Sequence, residues 1–200
     1  YTLYTFVDIN RFNVQGISSE KREGVFSLVS TGALRLQKNY MYLVNAMALI
    51  KDKNIELDIY GIGNMKDELQ KQIELTGAKV NLKGEVKNIE QVIPRYNLFV
   101  MASTFEGFSL SILEAMAMRM PLLVSDNASF REQCEDNAWY FSLSDVNDLA
   151  GKIVLLSNTD KAVLYQKAEA GRQRATNNFT LGQHIAGLRH IYTEALGSNN

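Results

Sequence analysis

From residue 25 onward, short apolar runs alternate with longer stretches in which apolar positions recur every three or four residues. Val25–Ser30, Ile55–Tyr60, Lys79–Lys83, Asn97–Ala102 and Pro121–Ser125 have the length and side chains of strands. Between them, Asn39–Lys51, Met65–Leu75, Ile89–Arg95, Leu110–Met118 and Ala128–Glu135 read as helices. The first should bury Tyr42, Ala46, Leu49 and Ile50, the second Met65, Leu69 and Ile73 with Gln72 alongside. Continuous apolar strands separated by helices predict βαβ units around a parallel sheet covered on both faces.

Beyond Asp145 the pattern is wholly helical: Asp145–Leu156, Lys161–Thr176, and a last helix running to about Leu196. Phe179-Thr180-x-x-Gln183 has the form of a hydrophobic staple joined to a capping box, which opens that last helix. Residues 1–24 scatter Tyr1, Tyr4, Phe6, Arg11 and Phe12 without periodicity and read as an extended lead-in, and Gly197–Asn200 should fray. The expected fold class is α/β, a Rossmann-like parallel sheet with helices on both faces and a helical C-terminal section, in one domain over 25–200.

Composition narrows the functions. With 21 basic and 22 acidic residues the net charge is −1, which argues against a broad electrostatic grip on nucleic acid or an anionic membrane. The single cysteine, Cys134, forms no internal disulfide framework or cysteine-rich zinc site and reads as a small core residue, as do Met116, Met118 and Met120. No run approaches membrane-spanning length and no leader-like start is visible, so the expectation is a soluble cytoplasmic chain. His184 and His190 fall on different faces of the last helix, and no Ser/His or Cys/His constellation stands out.

In sheets of this kind ligands gather at the carboxyl ends of the strands. After the first strand, Gly32 permits a tight turn, and Arg35 and Lys38 precede a helix; this suits a diphosphate, or equally a solvated surface loop. After the second, Gly61-Ile62-Gly63 invites a dinucleotide reading, but Lys66 stands where the third glycine would fall, leaving a tight turn. The fourth strand runs into Ser103-Thr104-Phe105-Glu106-Gly107-Phe108-Ser109-Leu110, a small-residue turn that aims free N–H groups at one spot before a helix. Glu106 and Glu114 flank that turn. With 13 glutamates in 200 residues, roughly one such pair arises by chance, and Ser111-x-x-Glu114 is also a possible capping box. After the fifth strand, Asp126 and Asn127 read as helix caps before ligand contacts.

The stretch from Asn97 to Ala117, with Glu106 and Glu114 in a strand–glycine–helix setting and Pro121-Leu122-Leu123-Val124 after it, closely resembles the E-x7-E signature of group 1 glycosyltransferases, family GT4, of the GT-B fold. Phe6 to Phe12 resembles that family's interdomain linker, Gly32 to Lys38 its phosphate loop, and Ile59 to Gly63 and Val80 to Val86 its next two strand ends. The resemblance implies the donor-binding half of a retaining, hexosyl-type glycosyltransferase (EC 2.4), with residues 1–24 as linker and an N-terminal acceptor domain outside this sequence. It implies an NDP-sugar donor, UDP- or GDP-linked, and neither cofactor nor metal. By position, Glu106 and Lys38 become catalytic: Glu106 beside the transferred sugar, Lys38 with the N–H groups of Gly107, Phe108, Ser109 and Leu110 on the departing diphosphate. Glu114 would accept from the ribose hydroxyls, Gly84 and Val86 would meet the base, and Gly32 and Arg35 belong to the phosphate loop.

Two positions depart from the family pattern. Ala33 stands where the family carries Arg, with Arg35 as candidate replacement, and Arg119 stands where a glycine ends the signature helix. The implied setting is polysaccharide, lipopolysaccharide or glycolipid assembly, with peripheral attachment of the full enzyme to the inner membrane face, and with the isolated domain inactive. Competing expectations are a degenerate sugar-nucleotide-binding or scaffolding module without turnover, and a GT-B-related sugar-nucleotide epimerase.

Overall fold

A computed structural model describes residues 1–16 and 20–197. Six strands, β1 (Phe26–Thr31), β2 (Ile55–Tyr60), β3 (Val80–Gly84), β4 (Leu98–Met101), β5 (Leu122–Ser125) and β6 (Trp139–Phe141), form one sheet in the order β3-β2-β1-β4-β5-β6. Every pairing is parallel. The helices are α1 (Tyr40–Leu49), α2 (Lys66–Thr76), α3 (Ile89–Val92), α4 (Leu110–Ala117), α5 (Ala128–Cys134), α6 (Val146–Ser157), α7 (Lys161–Asn178) and α8 (Leu181–Gly197).

Strand side chains alternate between two cores, as the pleat requires. Leu28, Leu57, Ile59, Val100 and Leu123 enter one with α1, α2 and α6. Val29, Phe99, Met101 and Val124 enter the other with α4, α5 and the end of α7, and Val7 and Phe12 of the lead-in are buried there too. The lead-in is therefore fastened to the domain, its Val7 N–H donating to the Phe179 carbonyl at 2.9 Å.

The C-terminal section is helical as expected, and its helices help cover the sheet: α6 lies beside α1 on one face and α7 beside α4 on the other. Two expectations need correction. Of the face expected for α1, Ala46 and Ile50 are buried, but Tyr42 is only half-buried and Leu49 is 55% exposed; Tyr40, Leu43, Val44 and Met47 are buried instead. Nearly every residue from Tyr40 to Leu49 is apolar, so periodicity there has little contrast. The sixth strand, Trp139-Tyr140-Phe141, has no counterpart among the expected elements. Three residues are too few for an alternation, and only pairing with β5 makes them a strand.

Other expectations hold. Cys134 and the three methionines are buried, and Asn127 caps α5 by accepting from the Phe130 N–H at 2.9 Å. Asp126 instead makes two 2.7 Å hydrogen bonds with Arg131. Thr180 and Gln183 form the capping box, main-chain N–H to side-chain oxygen in both directions, at 3.0 and 3.4 Å. Phe179 packs on Tyr4 and Phe108. The fraying expected at Gly197–Asn200 falls at and beyond the last described residue. Among the described residues no helix is long and apolar enough to cross a membrane.

Candidate functional site

The strand order reverses at β1: the chain first builds outward through β2 and β3, then returns to β4 on the other side. Loops leaving β1 and β4 diverge there and open a crevice at their carboxyl ends, the usual ligand position in such sheets. The two loops are tied together. Thr104 N–H donates to the Gln37 carbonyl at 3.0 Å, and Gln37 Nε2 to the Phe105 carbonyl at 2.7 Å. Lys38 closes a helical turn (Leu36–Lys38), and Asn39, at φ 52°, redirects the chain into α1. Lys38 Nζ thus meets Glu106 Oε1 at 2.6 Å, and Ser103 Oγ donates to the same oxygen at 2.9 Å. The Ser129 hydroxyl holds the Glu106 main-chain carbonyl. The two residues expected to be catalytic are 68 positions apart in sequence and form one ion pair.

Beside this pair lies a pocket of about 320 Å³ whose lining includes Gly32, Tyr60, Ile62, Val86, Ser111 and Glu114. Helix α4 starts at Leu110 with Ser109 as its N-cap, so Ser111 and Glu114 are its second and fifth residues. A capping box needs the N-cap and third positions, so that reading of Glu114 fails. Burial pushes the Glu114 carboxyl up to about 7; Arg11 of the lead-in opposes this and Glu90 adds to it. Arg11 itself bonds Glu90 and the Lys87 carbonyl, so the lead-in reaches the segment that walls the pocket. A larger cleft, about 740 Å³, lies at the amino ends of the strands among Lys21, Arg22, Lys53 and Asn97, remote from Lys38, Glu106 and Glu114.

The remaining expected residues divide. Gly32 and Val86 line the pocket; Gly84, at φ 73°, ends β3 and accepts the Gly61 N–H at 2.8 Å. Gly61 and Gly63 are required by close approach: a Cβ at Gly61 would lie 1.9 Å from the Gly32 carbonyl oxygen, and one at Gly63 2.4 Å from that of Leu34. They lock one loop against the next. Arg35 is exposed and borders an adjoining groove with Leu36, Ala33 and Ile62; the last two also line the pocket that holds Glu114, and Arg35 does not.

In the turn before α4, Gly107 and Leu110 are exposed. The Phe108 ring, however, turns into the second core, its centroid 5.0 Å from those of Tyr4 and Phe179. The Ser109 N–H is already taken by Gln133 Oε1 at 3.0 Å, with Gln133 Nε2 donating back to the Ser109 carbonyl at 2.8 Å. Gln133, fully buried, is the brace of this turn, and nothing in the sequence pattern marks it. Ser103 is the other missed partner, though it stands in the small-residue turn that drew attention to Glu106. Among the described residues no group of three or more His, Cys, Asp or Glu could hold a metal ion.

A family model described as "Glycosyl transferases group 1" matches residues 26–159. The GtfA subunit of the Streptococcus gordonii UDP-N-acetylglucosamine–peptide N-acetylglucosaminyltransferase is 35% identical over 105 residues, 50% of this chain and 21% of that protein. The Escherichia coli UDP-Gal:alpha-D-GlcNAc-diphosphoundecaprenol alpha-1,3-galactosyltransferase is 28% identical over 181 residues, 85% of this chain and 45% of its own. The chain thus spans under half the length of these curated relatives. Among solved structures, Anabaena HepE in complex with UDP-glucose superposes with a TM-score of 0.87 at 20% identity, over 97% of this chain and 57% of that one.

Proposed function

Since the chain belongs to the group 1 glycosyl transferases and has the parallel, Rossmann-like sheet of a GT-B domain, we propose that it is the donor-binding half of a GT4 enzyme that moves a sugar from a UDP-sugar to an acceptor with retention of configuration. One observation carries this reading: the switch-point crevice brings Lys38 and Glu106 together at 2.6 Å beside the pocket lined by Glu114. In this reading the nucleoside occupies the pocket, and Glu114 accepts hydrogen bonds from two ribose hydroxyls. Lys38 leaves Glu106 for the diphosphate and offsets its growing negative charge as the sugar departs, with Gly107 and its neighbours contributing main-chain N–H groups. Glu106 then faces the transferred sugar. Relatives named for UDP-linked donors favour UDP over GDP. Residues 1–24 serve as linker to an acceptor-binding domain, and the chain by itself binds donor without transferring sugar. The enzyme acts in glycan or glycolipid assembly at the cytoplasmic face of a membrane.

Thermal melts with UDP, GDP, ADP and CMP at about 1 mM test the donor site. A ligand at ten times its Kd adds about 1.4 kcal/mol, or roughly 3–6 °C at this size. A shift with UDP alone is expected; an equal shift with all four, or with none, would sink the reading. The placement of Arg35 in the neighbouring groove, with Ala33 in place of a cation, favours a second reading: a sugar-nucleotide-binding module without turnover. Sugar transfer by the full-length protein would eliminate it.

A further inference from the structure

Beneath the Gly32 turn the fold buries three hydroxyls and gives none of them a hydrogen-bond partner: Ser30 Oγ, Thr31 Oγ1 and Tyr40 Oη. Tyr40 is only 3% exposed, Thr31 5% and Ser30 fully buried. Ser30 comes close enough to the phenol to influence it, without hydrogen-bond geometry. An unpaired buried hydroxyl is a standing cost to a fold, and a phenylalanine would avoid it.

The position of the Tyr40 hydroxyl explains what it is for. A Cβ at Gly32 would sit 3.1 Å from Tyr40 Oη and 3.3 Å from Lys38 Cε. The phenol therefore borders the open side of the Gly32 α-carbon, under the Lys38 side chain whose ammonium is held by Glu106. Thr31 and Gly32 also line the pocket that Glu114 lines.

We propose that Tyr40 is a diphosphate-binding residue: when Lys38 leaves Glu106 for the diphosphate of a sugar nucleotide, the uncovered phenol donates a hydrogen bond to a phosphate oxygen. This rests on the donor-binding reading above. Phosphate oxygens accept and do not donate, which suits a group that has a proton to give and no acceptor. Burial first of all, and then the neighbouring Glu106, raise the phenol well above its ordinary range, so it keeps that proton at neutral pH. The contact supplies the diphosphate with a donor from the start of α1, beside the loop where Ala33 supplies none.

Tyr40→Phe in the full-length protein tests this with three readouts: the melt without ligand, affinity for UDP, and affinity for uridine, which has the base and ribose but no phosphate. The expected result is an unchanged or higher melting temperature, UDP affinity reduced about tenfold, and uridine affinity unchanged. UDP binding within twofold of wild type would overturn the proposal. So would an equal loss for uridine, which would put the contact on the nucleoside, or a lowered melt without ligand, which would make the hydroxyl part of the fold. If the wild type binds neither UDP nor uridine, the donor-binding reading itself falls.

Discussion

Two desolvated carboxylates in this domain, one buried and one half-buried, have opposite fates. Asp58, in the middle of β2, is 1% exposed and surrounded by donors: Tyr96 Oη at 2.6 Å, Asn81 Nδ2 at 2.8 Å and the Arg22 guanidinium. Burial pulls its pKa upward, but the bonds from Tyr96, Asn81 and Arg22 outweigh that and hold it below the ordinary value. Glu114, at the pocket, is desolvated without such a set of donors, and its pKa rises to about 7. A carboxylate that the fold completes serves the fold. One that the fold desolvates and leaves facing a pocket is prepared for something that arrives from outside.

The largest effect should come from Asp58. Asp58→Ala removes the acceptor of Asn81, leaves the Tyr96 hydroxyl to its contact with Tyr60 Oη and leaves Arg22 half-paired; we expect a loss of about 2–4 kcal/mol in urea unfolding, moderated by the partial exposure of Arg22. Nucleotide affinity in the variant that remains folded should be unchanged. The sign in pH follows from the lowered pKa. Asp58 stabilises the fold at neutral pH, and that contribution disappears as pH falls below the ordinary carboxylate range and through its native pKa.

Glu114→Gln should invert the result. Its raised pKa means the folded protein holds a proton that the unfolded chain releases, so the charge weakens the fold as pH climbs from the ordinary carboxylate range to about 7, and the penalty is constant above that. The glutamine variant should melt no lower than wild type at pH 8, yet bind UDP at least about tenfold more weakly. Loss of stability with intact affinity would erase the contrast with Asp58.

A finer test varies pH alone. Uridine affinity should fall by up to about tenfold between pH 8 and pH 6 as Glu114 takes up a proton near 7 and loses acceptor capacity. The glutamine variant should show a flat profile over that range. Smallest of all is Asp126, whose pair with Arg131 is bidentate at 2.7 Å on both arms and is also half exposed. Asp126→Asn should leave the urea midpoint unchanged within error, because solvent screens what geometry offers.

The sequence carried the central strands and the glycine-rich turns at their ends, because apolar runs and small residues are local signals. It carried Glu106 and Glu114 as a pair only through their strand–glycine–helix setting. What removes the capping reading of Glu114 is the single fact that α4 starts at Leu110, and a one-residue boundary is beyond pattern reading. The Lys38–Glu106 contact depends on β1 and β4 being neighbours, a non-local event that no spacing records. The brace Gln133 and the unpaired Tyr40 hydroxyl were illegible for the same reason. A glutamine or a tyrosine in a helix announces neither its burial nor its partners, and the apolar run around Tyr40 hid it among core residues.

The meeting of Gly61 with Gly32, and of Gly63 with Leu34, bears on redesign. At these points main chain touches main chain with no room for a β-carbon, so the frame of the pocket cannot be reshaped by substituting the glycines that form it. Between them stands Ile62, 58% exposed and shared by the pocket and the adjoining groove. A library aimed at changing what the pocket accepts should leave positions 61 and 63 alone and spend its diversity on position 62, where a new side chain meets the open space of the pocket before it meets the fold.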